Sequence, residues 1–198
     1  DMGTLTYTYE TLRPLGIKPE NIKLVMNDME KTPNSGPAGG SRSNVVTGNA
    51  IVAGCRKLME AMKKPDGTFR SYDEMVKENL PLRYEGKWTA PFSACDVATG
   101  QGNPFSTYMY GVLMSEVAVD TTTGKTQVEK MTMVSDCGTI VNRLVVDGQI
   151  YGGLVQGIGL ALSEDFEDLK KHTTLTGCGI PQIKDAPDNI VIIHQETP

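Results

Sequence analysis

The sequence predicts an α+β fold with mixed sheets, a long β-hairpin and packed helices. Two long segments, residues 41–64 and 142–163, carry the apolar spacing and flanking punctuation of helices. One segment, Tyr108–Ser135, alternates like two strands around a glycine-containing turn. Elsewhere helix and strand patterns alternate irregularly, which favours α+β over a doubly wound parallel sheet.

The first element is a helix over Thr4–Leu15, where Leu5, Tyr9 and Leu12 share a face and Pro14 and Gly16 supply the stop. Ile22–Met26, after the Pro19-Glu20-Asn21 turn, reads as a strand. Asn27–Gly40 holds Pro33, Gly36, Pro37, Gly39 and Gly40 and reads as a loop. A long helix follows over Ser41–Lys64. Ile51, Cys55, Leu58 and Met62 mark its apolar stripe, Lys63 and Lys64 suit its negative end, and Pro65 stops it. After an Asp66-Gly67 turn, Ser71 with Glu74 three residues on opens a short helix over Tyr72–Asn79.

Leu82–Ala90 reads as a strand and Pro91–Pro104 as irregular chain. The hairpin arms are Tyr108–Asp120 and Thr126–Ser135, joined at Thr121–Lys125, where Gly124 suits a positive φ. In the first arm Leu113, Ser115, Val117 and Val119 share one side. A largely apolar helix over Asn142–Ser163 follows. A charged patch (Glu164–Lys171), a Gly/Pro loop (Gly177–Pro187) and a final strand (Ile190–Gln195) complete the series.

A length of 198 residues suffices for a core without staples, as one large domain or two small ones. Opening on Asp1 rather than Met, and reaching Pro198 soon after a strand, the chain reads as a piece of a larger domain. A net charge of −5 without a basic stripe argues against nucleic acid or an anionic membrane as the main partner. The most apolar stretch, Leu144–Leu162, carries Asp147, Gln149 and Gln156 among its glycines, so no membrane span is expected. Cys55, Cys95, Cys137 and Cys178 are too far apart in sequence for a metal knuckle. They read as separate small core residues in a reducing compartment. His172, in the charged patch, reads as a surface residue, and His194 as a strand residue with no visible metal partner. No HExxH and no supported Ser/His/Asp or Cys/His order is present; any of the 24 carboxylates could do acid–base work, but no pair stands out, and no metal ligand is assigned.

Two segments have the composition of a binding site. Ser35–Ser43 is a Gly-rich run feeding a helix N-terminus, where unpaired amides and the helix dipole favour a phosphate or another anion. The same residues also suit an ordinary loop closed by a Ser N-cap, and the sequence balances the two readings. The glycine frame fits neither a P-loop nor a nucleophile elbow. The second segment is Gly148–Gly159. Its glycines at 148, 152, 153, 157 and 159 each cost a helix ~1 kcal/mol relative to Ala, which close backbone approach must offset. Packing against another helix accounts for most of them. Gln149 and Gln156 fall on one face, and at least one calls for a planar polar partner.

Three blocks, Thr32–Asn49 (TPNSGPAGGSRSNVVTGN), Tyr108–Glu116 (YMYGVLMSE) and Asp147–Asp168 (DGQIYGGLVQGIGLALSEDFED), resemble the xanthine oxidase/aldehyde oxidoreductase family of molybdenum hydroxylases. The similarity is to the C-terminal part of the molybdenum-cofactor-binding subunit, most of all in bacterial aldehyde oxidoreductases, and runs from Asp1 to Pro198. The resemblance implies that residues 1–198 are a fragment from the second half of the cofactor domain, truncated at both ends. It implies molybdenum carried by a molybdopterin, as the cytosine dinucleotide. Ala38, Gly39, Gly40, Ser41, Arg42 and Ser43 would contact the pterin and its phosphates, Gln149 would hydrogen-bond the pterin, and Gln156 would be a further contact.

The family's catalytic glutamate is expected beyond Pro198, in a Gly-x-Gly-Glu segment, so Glu196 is not given that role. [2Fe-2S] clusters belong to domains absent from this chain. The implied parent is a cytoplasmic homo-oligomer that oxidises an aldehyde to a carboxylate with oxygen from water, its partners being the remaining domains or subunits. The isolated piece is expected to be inactive. Two alternatives stand beside this: a purine or heterocycle hydroxylase of the same family, and a phosphate- or nucleotide-binding module without redox chemistry, using Gly36–Ser43. A third is a scaffold surface within a larger subunit.

Overall fold

Helix propensity and glycine placement build the N-terminal half, and strand pairing builds the C-terminal half. The computed structural model describes residues 3–26, 28–39, 42–91, 94–105 and 107–197. It divides into two compact units, Asp1–Ser106 and Thr107–Pro198.

In the first unit helix α1 (Gly3–Leu12) tightens into a 3-10 turn at Arg13–Leu15 and ends on Gly16, whose φ of 70° is left-handed. It packs on helix α2 (Ser43–Met62). The contact depends on Gly48, which is buried. A Cβ there would lie 2.7 Å from a ring carbon of Tyr7. A second close approach brings Gly86 against the same helix, where a Cβ would overlap the Ala50 carbonyl oxygen and lie 2.5 Å from the Gly54 nitrogen.

Helix α3 (Tyr72–Lys77) opens with the capping box expected from its sequence. Glu74 N donates to Ser71 Oγ (3.3 Å) and Ser71 N to Glu74 Oε2 (2.7 Å). The Lys64 ammonium donates to Glu74 Oε1 at 2.7 Å. Chiefly through Lys64 and then the Ser71 amide, the Glu74 carboxyl is held down at about 2. Arg70 donates to the carbonyls of Ala61 and Lys63, serving the last turn of α2, where carbonyls lack helical donors.

The expected strands Ile22–Met26 and Leu82–Ala90 take no regular secondary structure and join no sheet among the described residues. Extended backbone becomes a strand only beside another strand, and the regular elements described in this unit are all helical.

In the second unit β1 (Tyr110–Val119) and β2 (Thr126–Asp136) form the expected antiparallel hairpin. Its turn is held by Asp120, which accepts from Thr122 N (2.8 Å) and Thr123 Oγ1 (2.8 Å), and by Gly124 at φ 73°. These bonds, the Thr123 hydroxyl first, hold the Asp120 carboxyl below its ordinary value. Strand β3 (Asn189–Gln195) lies parallel to β2, giving the order β1-β2-β3.

The register shifts between Glu116↔Lys130 and Val117↔Val128, leaving Glu129 as an extra residue on β2. That bulge lets both Val128 and Met131 join the core. Helix α4 (Arg143–Leu162), N-capped by Asn142, covers this face. Met131, Leu154 and Ile158 are buried there, with Val128, Met133, Ile150 and Ile190 against them. Strand β1 is exposed along its whole length, Val112, Leu113, Met114, Val117 and Val119 included.

The expectation about the cysteines needs correction. Cys95 and Cys137 are exposed rather than core residues, while Cys55 and Cys178 are partly covered, and all four are free thiols. Burial pushes the Cys55 thiol up. Among the described residues no helix is long and apolar enough to cross a membrane.

Candidate functional site

The first candidate site is the approach to α2. Asn34 Oδ1 accepts from Gly36 N at 2.8 Å, and Gly36 takes a φ of 75°, so the chain turns sharply there. Pro37, Ala38 and Gly39 are then exposed. Helix α2 starts at Ser43, with Arg42 in the N-cap position and no side-chain cap. The guanidinium of Arg42 turns back to donate to the Pro37 carbonyl at 2.9 Å. Among the described residues no side chain caps the amides of the first turn, and one cationic side chain sits beside them. Gly40 and Ser41 lie outside the described residues.

The second candidate site is one face of α4. Gly148, Gln149, Gly152, Gly153, Gln156 and Gly157 are all exposed. A Cβ on Gly148, Gly152, Gly153 or Gly157 would meet nothing within 4 Å. The expectation that helix packing accounts for most of these glycines is not met among the described residues. Gly159 alone makes a tight contact: a Cβ there would lie 2.5 Å from Pro181, so the 177–181 loop crosses the helix at that point. Neither Gln149 nor Gln156 has a side-chain hydrogen bond among the described residues. The face thus offers bare backbone and two free amides, a surface that a flat polar group can approach closely.

The opposite side of the same helix carries a pair that sequence reasoning missed. His194 Nε2 lies 2.6 Å from Asp147 Oδ1, and the histidine side chain is only 5% exposed. The two residues stand 47 positions apart, and no motif connects them. The end of β3 is tied down further: Glu196 Oε2 accepts from Ile140 N (3.1 Å), and Asp136 accepts from the backbone and hydroxyl of Thr197 and from Gly138 N. Those bonds, the Thr197 hydroxyl first, hold the Asp136 carboxyl below its ordinary value.

His172 is also not the surface residue its charged neighbours suggest. Its side chain is 13% exposed, Nδ1 accepts from Asp168 N at 3.2 Å, and Nε2 lies 3.6 Å from Asp165. It braces the loop beyond α4.

The sequence matches the molybdopterin cofactor-binding domain family over residues 4–187. The aldehyde oxidoreductase of Megalodesulfovibrio gigas is 52% identical over 199 residues, a match covering all of this chain and 22% of the relative. The xanthine dehydrogenase of Oryza sativa subsp. japonica is 31% identical over 180 residues, covering 82% of this chain and 13% of the relative. The crystal structure of the aldehyde oxidoreductase from Desulfovibrio desulfuricans aligns with a TM-score of 0.93 at 64% identity, over 99% of this chain and 22% of that one. A Cu,Mo-CO dehydrogenase, 19% identical with a TM-score of 0.70, shares the fold. The chain spans 22% of the length of the aldehyde oxidoreductases it matches.

Proposed function

The chain belongs to the molybdopterin cofactor-binding domain family, and from that premise we propose that it forms part of the pterin site of a molybdenum-dependent aldehyde oxidoreductase. The observation that carries the reading is the exposed face of α4, where four glycines meet nothing within 4 Å of a built Cβ and two glutamine amides stand between them. Glycines that cost helix stability are placed where backbone must be reached.

The residues present fit the cofactor. Gln149 and Gln156 carry donors and acceptors suited to the edges of a pterin, and Gly152 and Gly153 leave room for its plane. Ala38, Gly39, Arg42 and Ser43, together with Gly40 and Ser41, would hold the anionic tail, with hydrogen bonds to charged groups contributing ~1.5–3 kcal/mol each. When bound, molybdopterin supplies the two-electron oxidation of the substrate, with water as the source of oxygen. This chain's own part is to bind and orient. We assign it no proton-transferring residue, and we place the base, the [2Fe-2S] clusters and the rest of the substrate pocket in other segments of a longer protein. The 22% coverage of the relatives supports that division.

The cytosine dinucleotide form, an aldehyde rather than a heterocycle as substrate, a homo-oligomeric parent and a cytoplasmic setting are parts of the same proposal. Four free thiols support the reducing compartment.

The uncapped start of α2 favours a second reading, a phosphate- or nucleotide-binding module without redox chemistry. One purification separates the two. The full-length protein is expected to contain stoichiometric molybdenum, to release a cytosine nucleotide on acid hydrolysis, and to oxidise benzaldehyde; residues 1–198 alone should do none of these. A full-length protein that binds nucleotide but holds neither molybdenum nor pterin would establish the second reading instead.

A further inference from the structure

The Asp147–His194 pair sits where it controls the rotation of α4. Successive helical residues turn by about 100°, so residues two apart point to nearly opposite sides. Asp147, 28% exposed, faces β3, and Gln149 faces outward. Whatever fixes Asp147 inward therefore fixes the outward direction of Gln149, and seven residues on, of Gln156.

Helix α4 is only partly covered at the apolar residues of its first turns, Val145 and Val146. Its buried apolar contacts, Leu154 and Ile158, lie in the second half, and Ile150 is only partly covered. The histidine end of the bond is shielded from water. His194 is 5% exposed on its side chain and Ser135, its register partner on β2, is 1% exposed. A carboxylate oxygen only accepts, so Nε2 of His194 donates to Asp147. Both His194 Nδ1 and Ser135 Oγ are buried with no hydrogen-bond partner among the described residues. Side chains of parallel register partners leave the sheet on the same side, so Ser135 and His194 share one face of it.

We propose that His194 is a positioning residue for the cofactor: it fixes the rotation of α4 through Asp147 and so aims Gln149 at the pterin. The inference rests on the pterin reading of the α4 face. It adds a buried histidine–aspartate pair, on the side of α4 away from the contacting amide, that sets where that amide points. Residues that orient a ligand's partners in this way commonly change affinity by roughly tenfold or more.

The test uses the full-length enzyme, with three variants and two readouts: pterin and molybdenum content per chain, and thermal midpoint. Removing one partner leaves an unpaired buried group and destabilises any structure, so the informative variant is D147L/H194L. It deletes both partners and leaves no orphaned charge. This variant is expected to keep a midpoint near that of the parent while its cofactor content falls roughly tenfold. H194Q, whose amide nitrogen reaches the place of Nε2, is expected to restore most of the content. Q149A serves as the control for the underlying reading and is expected to lose cofactor as well.

If Q149A loses cofactor while D147L/H194L loads fully, the positioning role is wrong and the pterin site stands. If Q149A loads fully, the pterin reading of this face fails, and the inference falls with it. A loss in D147L/H194L that tracks a lowered midpoint, without rescue in H194Q, reduces the pair to a packing element and overturns the proposal.

Discussion

Gly152 and Gly159 lie on the same helix, yet their surroundings predict opposite substitution effects. A Cβ at Gly152 meets nothing within 4 Å, so Gly152→Ala gains helix propensity and should stabilise the chain by ~0.5–1 kcal/mol. A Cβ at Gly159 falls onto Pro181 at 2.5 Å and onto the Glu164 carboxylate, so Gly159→Ala should destabilise by ~1–3 kcal/mol. Urea unfolding followed by far-ultraviolet circular dichroism checks both, and equal effects would refute the contrast. Glu74 makes a pH-dependent case. Its carboxyl is held at about 2, below the ordinary 4.5, so its contribution is present above the ordinary value and is lost as pH falls through the folded one. The stability difference between wild type and Glu74→Gln should thus be constant above about pH 5 and shrink below it. Because Glu74 is 42% exposed, salt should shrink it too.

Among the elements, those specified locally were legible in the sequence. The α3 capping box, the Asp120–Gly124 turn and both long helices depend on neighbours a few residues away, and each forms within two residues of where the pattern places it. The strand-like segments Ile22–Met26 and Leu82–Ala90 were not legible as they stand, because a strand depends on a partner that local pattern does not name. The candidate site divides the same way. The glycine face of α4 and the Gly-rich approach to α2 announce themselves in composition. The Asp147–His194 bond arises from tertiary contact and leaves no sequence signal, and the turned-back Arg42, though it reaches only five residues, follows no capping pattern. Gly86 is another such contact. Its missing Cβ lets chain cross α2 at Ala50 and Gly54, and the obstruction is backbone that cannot rotate away. Gly86→Ala should lower stability by ~1–3 kcal/mol or more, read from the urea midpoint, whereas an unchanged midpoint would mean that the crossing does not persist in solution.

At the scale of the whole molecule, the chain covers little of its apolar surface. Two separate compact bodies of half its mass would expose about 11,000 Å² together, yet the accessible surface is 14887 Å². Leu12, Met75, Met131, Leu154 and Ile158 are the buried hydrophobics among the described residues, and both faces of β1 stay open. Surfaces of this kind are covered in the assemblies to which they belong. The isolated chain should therefore bind a hydrophobic dye strongly and lose it once the full-length protein is made; a dye-silent isolated chain would contradict this. The central claim, that bare backbone on α4 receives the pterin, has its most direct test in Gly153→Leu in the full-length protein, with molybdenum and pterin measured per chain. Leucine suits a helix and meets no neighbour within 4 Å of its Cβ here, so folding should survive. The predicted result is a protein with unchanged circular dichroism and a cofactor content reduced severalfold. Full loading with wild-type turnover would contradict it.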